Sequence, residues 1–280
     1  MTQAEKILYI DKQIARIAAK HRRAILQVIR GYGASLKKAL EKNQPQTVIY
    51  NMALIMPIEP MRDALILLWL DAGVKFTNLT SRELTGKTKY RENEFEVKKD
   101  PRVILAERLA ANPELQSLYM TLFSYFQGEG AARVVTIVDT YREQGIKAIQ
   151  EALMDITTLG LGEKEAGELL ARYVDESWRK SLFQSDRIVR TETHAAANYS
   201  SLNEAVNTQA QVLKVWGAFP DKRTRPTHIE ADGQTRELNH PFNVGGVSLM
   251  TPGDPKVRNA PQETISCRCV ILYQRKKGAL

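Results

Sequence analysis

The chain has 280 residues, 43% hydrophobic and 26% charged, which is enough to bury a core without a disulfide framework. Its opening, MTQAEKILYI, is charged where a signal peptide needs an apolar run, and the most apolar stretch, Ala64–Leu70, stops at Asp71, far short of a membrane span. The formal net charge of +8 sits at the ends, with +7 over 1–45, −3 over 46–180 and +4 over 181–280; it suits an anionic partner or, equally, a solvated helix face.

Residues 4–43 read as one long helix. Ile7, Ile10, Ile14, Ile17, His21, Ala24 and Val28 alternate at spacings of three and four, a coiled-coil-like seam that must dock on another helix or another chain. Lys12, Arg16, Lys20, Arg22, Arg23 and Arg30 lie mostly off that seam, and Gly31 and Gly33 are expected to weaken or bend the helix. After a break at Asn43–Pro45, Pro60 opens a helix expected to end near Asp71. The charged stretch 85–100, TGKTKYRENEFEVKKD, reads as an exposed loop, a mobile insertion or a short hairpin. Helices are then expected over 103–111, 113–126, 131–153 and 163–182, with another over 187–207 after an interruption near Ser185. Beyond residue 210, Pro, Gly, Asp and Asn surround short apolar pieces at 212–216, 244–250 and 270–273, the texture of short strands and tight turns. The fold class expected is therefore α+β, mostly helical, with a small mixed module at the C-terminus.

The residues that could carry chemistry cluster between Arg187 and Cys269. In RIVRTETHAAAN, Arg187, Arg190, Glu192 and His194 share a helix, with Arg190 and His194 on one face. In a turn-rich stretch that follows, Asp221, Arg223, Arg225 and His228 fall within eight positions. A buried polar network is the favoured reading of this group, ahead of a phosphate-facing site or one arm of a metal site. Cys267 and Cys269 stand one residue apart. With His228, and with His240 as a further candidate, they form the elements of a zinc site, although zinc cysteines usually stand two to four residues apart. Alternate strand residues also face opposite ways unless a turn intervenes. Free buried thiols are therefore favoured over structural zinc, and no other cofactor is expected. Walker A, G-x-G-x-x-G, H-E-x-x-H, G-x-S-x-G and kinase motifs are all missing from the sequence. The enzyme alternative is a metal-dependent nuclease using His228, Asn239 or His240; a non-viral nucleic-acid-binding module is a third reading.

In order and spacing, these elements resemble phage Mu F-like minor head proteins, also called head morphogenesis proteins. The elements are RTETHAAAN (190–198), the Trp216, Asp221, Arg223, Thr224, Arg225, His228 series, Asp232-Gly233, PGDP (252–255) and SCRC (266–269). Where this chain has Ser266 such proteins usually carry Asn. The resemblance covers roughly 186–273; with the charge and helical patterning before it, the chain divides into a basic amphipathic helix (1–44), a helical region with the charged loop (45–185) and a Mu F-like module (186–280). It implies a non-enzymatic minor capsid protein of a tailed phage, located in the virion at the capsid interior or portal vertex, and in the host cytoplasm during assembly. Portal protein is the implied partner, with scaffold, major capsid protein or a second copy as further contacts and no membrane. The six basic residues of the first helix are the candidates for portal contact or non-specific DNA phosphate contact. Arg187, Arg190, Glu192, Asp221, Arg223, Arg225 and His228 are expected to hold the module together through charge-assisted hydrogen bonds. Some relatives carry toxin domains after this module; the chain stops seven residues past Tyr273, and none is expected here.

Overall fold

The computed structural model describes residues 1–92 and 100–276, apart from the side chains of 180–182. Part of the charged loop, residues 93–99, and residues 277–280 of the C-terminal module lie outside the described residues. The fold is α+β and mostly helical. The helical part comprises α1 (Gln3–Leu40), α2 (Pro45–Tyr50), α3 (Met52–Ile55), α4 (Glu59–Thr85), α5 (Pro101–Ala111), a 3₁₀ turn (Pro113–Leu115), α6 (Gln116–Gln127), α7 (Ala131–Leu159) and α8 (Glu163–Asn207). The module that follows contains β1 (Val212–Gly217), α9 (Pro226–Glu230), β2 (Thr235–Arg236), β3 (Phe242–Val244), β4 (Val247–Leu249), α10 (Pro261–Thr264) and β5 (Val270–Arg275).

The seam of α1 is buried, with Ile7, Ile14, Ile17, His21, Ala24 and Val28 all largely hidden from water, and it is covered within the chain by α4 and α8. Thr2 and Glu5 form a reciprocal capping box at the helix start. The helix α1 continues through Gly31 and Gly33. Gly33 admits the Trp178 ring, since a Cβ there would fall 2.5 Å from Trp178 Cδ1, and the indole donates to the Ile29 carbonyl at 2.7 Å.

Three helices run further than the sequence led us to expect: α7 by six residues, to Leu159, and α4 and α8 by more. Asp71 does not end α4, because its carboxylate is compensated inside the bundle: His21 lies 3.0 Å and Lys20 3.2 Å away, with Arg108 at 3.8 Å. Burial acts to raise the Asp71 pKa, but the His21 hydrogen bond and the neighbouring charges prevail and bring it to about 2. From Met61 to Phe76 nearly every side chain of α4 is buried, as befits the central helix of a bundle, and it ends only at left-handed Gly86. Similarly, α8 passes through Ser185 without a break: neither Gly nor Pro occurs there, Ser185 is fully buried, and the adjacent Asp186 pairs with Arg22 of α1.

The described part of the charged loop is held against α4. Asn78 Oδ1 accepts the backbone N–H groups of Lys89 (3.0 Å) and Tyr90 (2.8 Å), and its Nδ2 donates to the Tyr90 carbonyl at 2.8 Å. In the module, the antiparallel sheet runs β2-β1-β5, with Trp216 opposite Ile271. The apolar piece at 244–250 belongs to a hairpin of β3 and β4, the short strands and tight turn expected there, turning at Gly245 and Gly246, both with positive φ.

Candidate functional site

The C-terminal half of α8 is the platform for the module. Ala195, Ala196 and Ala197 are all buried, and a Cβ added at Gly253 of the PGDP loop (φ +65°) would lie 3.9 Å from the Ala195 backbone. Asn198 ties three segments together: its Nδ2 donates to the carbonyls of Pro252 and Cys269, both at 3.1 Å, and its Oδ1 accepts Ile271 N–H at 3.0 Å. Thr191 Oγ1 accepts the Ser266 N–H at 3.1 Å. Asp254 caps its own loop by accepting from Met250 N–H (2.7 Å) and Lys256 N–H (2.9 Å). The Asp232-Gly233 turn is tied to β1, with Asp232 Oδ1 accepting Ala218 N–H at 2.8 Å.

The seven residues expected to form one polar network divide among separate places. Glu192 faces the helical bundle, accepting from Trp69 Nε1 at 3.1 Å and Arg133 Nη2 at 2.6 Å. Arg187 lines a groove between α7 and α8 with Tyr141 and Ile265, which Glu192 also lines. Arg190 lines a second recess with Asp11, Arg22, His194, Arg223 and Arg268. Residues 190 and 192 lie about 200° apart on a helix, so they cannot serve one network. Arg225 donates to the Ile265 carbonyl at 2.6 Å. Asp221 does pair with Arg223 (3.1 Å), but that guanidinium is 79% exposed. Its better-buried partner is Arg268, which also stacks on the Phe219 ring at 4.2 Å. The hydrogen bond from Arg268 and those from Arg223 hold the Asp221 carboxyl well below the usual carboxylate range. Within the same recess, burial and the charges of Arg268 and Arg190 push His194 down to about 3, so it is neutral at pH 7.

His228 belongs to a different centre. It is buried, edge-on to the Trp216 ring at 5.5 Å. Its Nδ1 lies 3.3 Å from Cys269 Sγ and 3.7 Å from Cys267 Sγ, and its Nε2 lies 3.0 Å from Glu263 Oε2. Both thiols are free and buried. The strand alternation that seemed to separate them does not apply, because β5 begins only at Val270 and Ser266 turns the chain with φ +55°. Asn adopts this left-handed conformation more readily than Ser, which fits the residue usual at this position in Mu F-like proteins. His240 and Asn239 are exposed; His240 lines a shallow surface recess with Leu213 and Arg236 and takes no part in the centre. Glu263 was not legible in the sequence: it lies 35 residues from His228 in a one-turn helix that carries no motif.

On α1, five of the six basic candidates are exposed and Lys20 is half-buried. Lys20 pairs with Asp71 and Arg22 with Asp186. Lys12, Arg16, Arg23 and Arg30 make no ion pair among the described residues and are exposed. At 100° and 1.5 Å per residue these four fall within about 40° of one another, along about 27 Å of helix axis. They form a basic ridge on the face opposite the buried seam.

Residues 141–272, from within α7 to β5, match the family described as Phage Mu protein F like protein. The match begins well before residue 186, so it takes in all of α8. Minor head protein GP7 of Bacillus phage SPP1 is 27% identical over 150 residues, covering 52% of this chain and 47% of GP7. NAD(+)–arginine ADP-ribosyltransferase EFV of Enterococcus faecalis is 31% identical over 116 residues, covering 40% of this chain and 23% of that protein. The chain thus spans less than half the length of either relative. No solved structure matches it.

Proposed function

We propose that this protein is a minor head protein of a tailed phage, built into the head at the portal or inner capsid wall, with the basic ridge of α1 facing DNA. The observation that carries the reading is the Mu F-like stretch over residues 141–272, joined by the similarity to a minor head protein across 150 residues. The motif residues support a scaffolding role, since Asn198, Asp232, Asp254 and Arg268 all make structural hydrogen bonds within the module. The ridge supports the DNA contact: four exposed cations in line along one helix face suit a phosphate backbone read without sequence preference. No helix among the described residues is long and apolar enough to cross a membrane.

The role is structural rather than catalytic. The similarity to an ADP-ribosyltransferase extends over only 23% of that relative, so most of the protein bearing the enzymatic name lies outside the shared stretch. The test is quantitative mass spectrometry of purified particles from the phage that encodes the chain. Presence at a few copies per portal is expected; absence from intact heads refutes the proposal. Consumption of NAD(+) by the purified chain would refute the structural reading.

A further inference from the structure

His228, Cys267 and Cys269 converge from two segments about 40 residues apart, and their ligand atoms all lie within 4.8 Å of one another. In a tetrahedral zinc site with Zn–S near 2.3 Å and Zn–N near 2.0–2.1 Å, an N···S edge is about 3.6 Å. The two such edges here, 3.3 and 3.7 Å, bracket that value. The imidazole is oriented for the task. Glu263 Oε2 stands 3.0 Å from Nε2 and also accepts from Thr227 Oγ1 at 2.9 Å. With its N–H given to this carboxylate, the imidazole leaves the Nδ1 lone pair aimed at the sulfurs, the outer-carboxylate arrangement that metal-bound histidines commonly have.

We propose that His228 Nδ1 and the Cys267 and Cys269 thiolates bind one zinc ion, with Glu263 fixing the imidazole from outside. The donor set selects the metal: two thiolates and an imidazole favour zinc, whereas magnesium, calcium and manganese prefer oxygen. Charge selects it too. On binding, both thiols lose their protons to solvent, and the two thiolates balance the charge of the ion. Three protein ligands leave a fourth position for water. The ion would lock α9 to the turn that leads into β5, the closing strand of the sheet, and metal binding here does not depend on where the protein assembles.

The test uses the full chain, purified under reducing conditions from cells grown with added zinc. Elemental analysis should find about one zinc per chain. Replacement by cobalt should give a thiolate-to-metal charge-transfer band in the near ultraviolet and the strong visible bands of a tetrahedral site. Cys267→Ser combined with Cys269→Ser should lose the metal and the band. Glu263→Gln retains all three ligands, and in competition with a chelating dye its zinc affinity should fall about 10–100-fold. A wild-type protein folded by circular dichroism yet free of zinc, unable to take up cobalt, and with two titratable thiols overturns the proposal. A cobalt spectrum lacking sulfur charge transfer overturns it equally.

Discussion

The basic ridge on α1 makes a quantitative prediction. Lys12, Arg16, Arg23 and Arg30 are exposed, unpaired among the described residues and aligned over about 27 Å. If each neutralises one phosphate of duplex DNA, the slope of log K against log salt is about −3.6, at about −0.9 per contact. Affinity should then fall about 150-fold between 50 and 200 mM salt. Replacing all four by Gln should bring the slope close to zero, and any single replacement should reduce it by about 0.9. Arg22→Gln is the control: its guanidinium already pairs with Asp186, so its loss should leave the slope nearly unchanged. Fluorescence anisotropy with a labelled random-sequence duplex across a salt series measures all of this. The four side chains stand off the buried seam, so the quadruple variant should melt like the wild type. A folded quadruple variant that keeps the wild-type slope would refute the assignment of the ridge to DNA.

Three further outcomes test the architecture. Gly33→Ala should cost about 1–3 kcal/mol in urea unfolding, because the new methyl meets the Trp178 ring, whereas Gly31→Ala has open space and should stabilise by up to about 1 kcal/mol; equal effects would show that Trp178 does not occupy the notch. His194 has a folded pKa of about 3 against 6.5 unfolded, so the unfolded chain binds the extra proton and stability should fall as pH drops below 6.5, at about 1.4 kcal/mol per unit until the folded pKa is reached; His194→Gln should flatten the profile by one proton between pH 6 and 4, and an unchanged slope would contradict the neutral buried imidazole. Arg268→Ala should lower the melting temperature of the protein more than Arg223→Ala, since Arg268 is 16% exposed and stacked on Phe219 while Arg223 is 79% exposed; the reverse order would place the Asp221 anchor on the wrong arginine.

What the sequence could reveal was set by the range of each interaction. The seam of α1 was legible because periodicity is local: seven positions at spacings of three and four announce one buried stripe whatever covers it. The true end of α4 was not, because the compensation of Asp71 comes from His21, 50 residues earlier, and no local rule prices a distant partner. The continuity of α8 through Ser185 has the same origin, since an isolated polar residue reads as a break until the helix packed beside it is known. At the metal-ligating triad the period-two rule was sound physics applied outside its range: Cys267 and Cys269 precede the strand, and Ser266 in a left-handed conformation turns both thiols to His228.

Charge shows most plainly what separates composition from a surface. A net of +7 over 1–45 cannot distinguish a cation that holds the fold from one that faces outward. Lys20 and Arg22 lie beside the seam, and α4 and α8 bring Asp71 and Asp186 to meet them. Lys12, Arg16, Arg23 and Arg30 follow a different helical line, and no acid among the described residues answers it. A solvated face needs no alignment, because scattered cations keep a helix equally soluble. Alignment of the unpaired four, with the paired two set to the side, is what a linear array of phosphates would require, and it turns a charge excess into a surface with a direction.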